Sequence, residues 1–119
     1  MSSPAELFKA MFKEEIEESL GSVKYLADKY VHKLKNGEIT NYVYNANEVF
    51  LAQEVSGLGR FISFIDSIDL DGKTPEDLAT MIRNMVQKKM KEYEDPEALY
   101  GIVNRKLEKT LKYVQLGQK

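Results

Sequence analysis

The sequence predicts an all-α protein: an antiparallel four-helix bundle with two long helices at about 4–36 and 41–68 and two shorter ones at about 75–93 and 96–116. Three observations carry that expectation. Every proline directly follows a capping residue. Apolar residues recur at steps of three and four. Two glycine-containing breaks separate the periodic stretches. The 119 residues fall in the size range of one domain and show no linker, repeat or low-complexity stretch, so residues 1–119 are read as a single helical domain.

The first helix opens at Ser3-Pro4-Ala5-Glu6, where the serine oxygen can accept from a free first-turn amide. Pro4 loses nothing there, because its missing N–H would have been unpaired. Ile16, Leu20, Val23, Ala27, Tyr30 and Leu34 then step by 4, 3, 4, 3 and 4, a heptad seam that Phe8 and Phe12 extend toward the start. Asn36-Gly37 supplies the stop after the basic turn Lys33–Lys35. Asn-Gly is also a hairpin signal, and Ile39, Tyr42, Val43 and Tyr44 favour strands, so a hairpin over 31–44 is the rival reading.

In the second helix Leu51, Val55, Leu58, Ile62 and Ile65 form the seam, while Phe50, Phe61, Phe64 and Ile68 widen it to about half the circumference. That width predicts that the second helix is the most buried of the four. Asp69-Leu70-Asp71-Gly72 makes the next break. Thr74-Pro75-Glu76-Asp77 starts the third helix, with Leu78, Met81, Ile82, Met85 and Val86 on its apolar side. Asp95-Pro96-Glu97-Ala98 starts the fourth, with Leu99, Val103, Leu107, Leu111 and Val114.

At 1.5 Å per residue the four helices are about 49, 42, 29 and 32 Å long. Half of the first pair is therefore expected to project beyond the second pair. An apolar seam that outruns its partners needs another surface, and a second copy of the chain is the cheapest. The rival is a monomer bent at Gly21 and at Gly57/Gly59.

Composition excludes several chemistries. The absence of cysteine removes disulfides, thiol nucleophiles and cysteine metal sites, and a single histidine removes paired-histidine sites. No apolar run reaches the 18 or so residues of a membrane span, and residues 1–20 carry no signal-peptide pattern, so a cytoplasmic protein with no membrane association is expected. There is no nucleophile elbow, phosphate-binding glycine loop or dinucleotide fingerprint. No catalytic residue, metal site or cofactor is assigned.

Glu54 is the main misfit, lying near the centre of the apolar arc of its helix with Asn47 on the same line seven residues earlier. Lys89 lies on the apolar stripe of the third helix. Folding the second and third helices as a hairpin about Asp71 puts Glu54 and Lys89 at one level, as a register-fixing ion pair or, with Asn47, the polar wall of a small-molecule pocket. His32 falls on a polar side. Glu14, Glu15, Glu17 and Glu18 read as a solvated face, and the Asp69–Gly72 loop does not complete a calcium-binding pattern. Ser56-Gly57-Leu58-Gly59 reads as a place where helices pack closely.

Charge divides unevenly. Residues 1–72 hold 7 basic and 12 acidic side chains, net −5, and residues 73–119 hold 10 and 7, net +3. Arg105, Lys106, Lys109 and Lys112 on the fourth helix make the core of a basic face that offers a route to nucleic acid. The sequence points first to a non-catalytic protein–protein interaction module or small subunit of a larger assembly, self-associating as a homodimer and contacting another protein. The alternatives are a nucleic-acid-associated subunit using the basic face and a small-molecule-binding bundle built around Glu54, Asn47 and Lys89. Small helical bundles serve many roles, so architecture alone assigns no site.

Overall fold

A computed structural model describes residues 3–93 and 97–117, except for the side chains of residues 89, 90 and 93. It is an all-α four-helix bundle, with α1 at Pro4–Lys35, α2 at Asn41–Asp66, α3 at Pro75–Tyr93 and α4 at Glu97–Gly117. The described residues contain no strand, and the hairpin alternative for 31–44 is replaced by a helix end, a tight turn and a helix start.

Capping explains the boundaries. The Ser3 hydroxyl oxygen accepts from the Glu6 amide at 3.1 Å. Thr74 and Asp77 exchange two hydrogen bonds at 3.1 Å, side chain to backbone in both directions, which closes a capping box around Pro75. At the end of α1, the Glu38 amide donates to the Lys33 carbonyl and the Gly37 amide to that of Leu34. This Schellman arrangement requires a left-handed residue, and Gly37 supplies it at φ 73°. The turn then runs straight into Thr40, whose hydroxyl oxygen caps α2 by accepting from the Val43 amide at 3.2 Å. The Asp95-Pro96 start of α4 lies outside the described residues.

Packing begins at the closed end. Phe8, Phe12 and Ile16 of α1, Leu58 and Ile65 of α2, Leu78, Ile82 and Val86 of α3, and Val103, Leu107 and Val114 of α4 are all essentially inaccessible to water. Phe12 stacks with Phe8 at a centroid distance of 6.1 Å and meets the edge of Phe61 at 5.9 Å. Such contacts add to burial because ring edges and faces carry opposite partial charge. Lys9 donates to the carbonyls of Asp66 and Ile68, and Lys13 pairs with the Asp66 carboxylate at 2.7 Å. Two cations thus sit at the negative end of the α2 dipole and fix its register against α1.

The widest apolar arc does not make α2 the most buried helix. α1 is the hub, packing on each of the other three, whereas α2 packs mainly on α1 and barely meets α3. The hairpin expected between the second and third helices is therefore not the packing unit; the hairpins are α1–α2 and α3–α4. Much of the α2 arc stays at the surface between residues 42 and 50. Nor does Gly59 mark a close approach, since a Cβ there would meet nothing within 4 Å; of that pair, Gly57 is the buried residue.

Candidate interaction surface

The Cα atoms span 54 × 28 × 19 Å, and the shortest dimension is two helix layers thick. The second layer does not run the full length. Glu15 of α1 accepts from Lys106 at 2.9 Å and from Lys109 at 2.8 Å, which sets the level of α4 against α1. Counting outward by helix rise, the start of α4 stands level with about residue 25 of α1. α1 continues to Lys35, so the end of α1, the turn and the start of α2 form an arm one layer thick and about 20 Å long.

Burial follows this step. The last buried residue of α1 is Val23, and the first of α2 is Leu51. Leu20, Ala27 and Tyr30 still pack partly against the core, and Ala27 and Tyr30 line one groove with Leu51 and Val55 of α2. What is lost is the cover on the adjoining face. Leu26 lies two heptads beyond the buried Phe12, and Phe50 lies two heptads before the half-buried Phe64, so both continue lines that are more deeply buried at the closed end. Leu26 is 41% and Phe50 59% exposed, with Val43 beside them also exposed. Of the nine large apolar side chains left exposed among the described residues, six are on the arm: Tyr25, Leu26, Tyr42, Val43, Val49 and Phe50. Scattered apolar residues are ordinary on a surface; Leu26, Val43 and Phe50 differ in continuing lines of the core stripe.

Glu54 sits at the foot of the arm on the same line as Phe61. It is half-buried, and burial raises its carboxyl pKa above the usual value. Asn47 donates to the Val43 carbonyl at 2.8 Å, a bond within its own helix. The Lys89 side chain lies outside the described residues, and with it the expected ion pair. A groove of about 380 Å³ does run along the arm, lined by Asp28, Val31, Tyr44, Glu48 and Ala52 among others, but it opens on the other side of the helix pair from Glu54.

The basic face is partly neutralised from within. Lys106 and Lys109 both bind Glu15, which holds the Glu15 carboxyl below its usual pKa through the two hydrogen bonds and raises that of Lys109. Arg83 pairs with Glu108. Arg105 and Lys112 remain exposed. His32 is exposed, as its polar position in the wheel predicts. The acidic run is not only a solvated face, because Glu15 is the ion-pair anchor between α1 and α4. In the Asp69–Gly72 loop, Asp69 accepts from the Asp71 amide at 3.0 Å and so serves the turn itself. Among the described residues, no group of three or more histidine, aspartate or glutamate side chains is placed to hold a metal. No helix among them is long and apolar enough to cross a membrane.

No protein-family model, curated protein or solved structure matches this chain.

Proposed function

We propose that this protein is a non-catalytic protein–protein interaction module whose contact surface is the projecting α1–α2 arm. The observation that carries this reading is the continuation of the core stripe onto the arm, with Leu26, Val43 and Phe50 uncovered where α3 and α4 end. Burying three such side chains releases enough apolar surface to drive association, on the order of several kcal/mol before ordering costs. The ion pairs of Lys106, Lys109 and Arg83 leave less free positive charge than the sequence alone implies, which disfavours the nucleic-acid alternative.

A photo-crosslinking amino acid placed at Phe50 tests this in cells, compared with the same group at Gln115 on the exposed side of α4. The reading expects protein adducts from position 50 that weaken when Leu26→Asp is added, and few from position 115. Equal adducts at both positions, or none at position 50, overturn it.

A further inference from the structure

We infer that the arm is covered by the arm of a second copy of this chain, joined antiparallel about a two-fold axis so that the closed ends lie at opposite ends of the dimer. The inference rests on the arm being a contact surface, and it names the occupant.

The shape of the step supports this partner. At the closed end, α4 and to a lesser extent α3 lie against α1, with slight contact to α2, and the arm lacks that cover over about 20 Å. Whatever completes it must be a pair of helices about 20 Å long carrying an apolar stripe on one face. The arm itself is such a pair. A two-fold axis perpendicular to the helices brings one arm into the space beside the other, each seated against the end of its partner's α3–α4 layer. A two-fold axis parallel to the helices fails, because it would drive the α3–α4 layer of one copy into the α1–α2 layer of the other.

The register follows from the same geometry. The middle of the arm falls near Tyr30 on α1 and near Ala46 on α2. In the antiparallel dimer α2 of one copy therefore runs against α2 of the other, with Phe50 opposite the second copy's Val43 and, at the same level on α1, Leu26 opposite its Lys33. Phe50, left over-exposed in one copy, thus meets an apolar residue of the next. A face about 20 Å by 20 Å, corrugated by side chains, removes roughly 600 Å² from each copy, or roughly 1,200 Å² in all, the lower edge of what a specific stable interface buries. An interface of that size falls in the class of weaker, concentration-dependent associations.

The absence of cysteine makes the test clean, because any introduced thiol is unique. Sedimentation of the full chain between about 5 and 500 µM should show a monomer passing to a dimer of twice 13.7 kDa. Phe50→Asp should weaken the dimer by roughly 30-fold or more, as expected for a charge buried at an interface centre, with helicity by circular dichroism unchanged. Spin labels on A46C should then lie within about 20 Å of each other, while labels on K112C at the closed ends should be separated by more than about 50 Å.

A dimer with both label pairs short overturns the antiparallel arrangement. A dimer insensitive to Phe50→Asp and to Leu26→Asp overturns the arm as its interface. A monomer at 500 µM overturns the second copy as occupant. If that monomer still gives adducts from position 50, the interaction module stands with a different partner; if it gives none, both readings fall together.

Discussion

Leu26 stands two heptads along α1 from Phe12 on one continuous stripe, yet Phe12 is fully buried and Leu26 is 41% exposed. The two positions have the same helical phase and both carry large apolar side chains. Phe12 packs against Phe8 and Phe61 at the closed end, where α4 and α3 also meet α1, and Leu26 lies beyond that overlap. Their mutational costs should therefore diverge. Phe12→Ala removes a ring packed against Phe8 and Phe61 and should cost about 3–5 kcal/mol. Leu26→Ala, measured by urea unfolding at concentrations where the chain is monomeric, should cost less than about 1 kcal/mol. Equal losses would mean that the arm is as well packed as the closed end.

Local stability should divide along the same line. The arm has few buried side chains, so amides of residues 26–35 and 41–50 should exchange with solvent faster than those of residues 8–16 and 58–65. A difference of roughly 100-fold in dilute protein is expected, about 3 kcal/mol in opening free energy. Raising the concentration should slow exchange selectively in the arm. Uniform protection along α1 at every concentration would contradict the stepped packing.

The Glu15 cluster predicts an acid-sensitive join between α1 and α4. The folded-state pKa of Glu15 is lowered, so its stabilising effect is present above the ordinary carboxylate range and is lost as the pH falls through the folded value. Glu15→Gln should lower stability by about 1 kcal/mol at pH 7 and low salt. The difference from wild type should shrink as the pH falls below the ordinary carboxylate range and vanish once the carboxylate is protonated in both states. A pH-independent difference would mean that Glu15 acts through packing rather than charge.

Glu54 has the opposite sign. Its folded-state pKa is raised by burial, so protonation favours the fold: the benefit is complete below the ordinary carboxylate range and is lost as the pH rises through the folded value. Glu54→Gln should therefore raise the melting temperature at pH 7 by a small amount that shrinks to nothing in acid. An ion pair between Glu54 and Lys89 predicts the reverse, a lower melting temperature that Lys89→Ala does not lower further. Thermal unfolding of the two single variants and the double variant at pH 7 and pH 4 decides between them.

The turn between the long helices should depend on two residues. Thr40→Ala removes the α2 cap and should cost about 1 kcal/mol. Gly37→Ala forces a Cβ into a left-handed conformation and should cost about the same. If the arm frays without affecting the closed end, both variants should speed amide exchange at residues 30–45 more than they shift the global melting temperature.

The local structure was legible in the residues alone. Ser3, Thr74, Asn36-Gly37 and the heptad positions specify where helices start, stop and turn their apolar faces, because capping and periodicity act within a few residues. The step was legible as well, since helix lengths follow from residue counts. The Thr40 cap stood in the sequence beside the Asn-Gly turn and could have settled the hairpin alternative, because a hydroxyl three residues before the Val43 amide is a start signal. Which helix faces meet was settled by long-range packing. The width of the α2 arc forecast deep burial, but periodicity reports which side of a helix is apolar, not whether anything covers it. α1 became the hub because Phe8, Phe12 and Ile16 are fully buried against the other helices, in the register marked by the pairings of Lys9 and Lys13 with the end of α2 and of Glu15 with Lys106 and Lys109. Those pairings join residues more than 50 positions apart, and no local rule links them. They bring α3 and α4 over one half of the apolar stripe and leave Leu26, Val43 and Phe50 outside it.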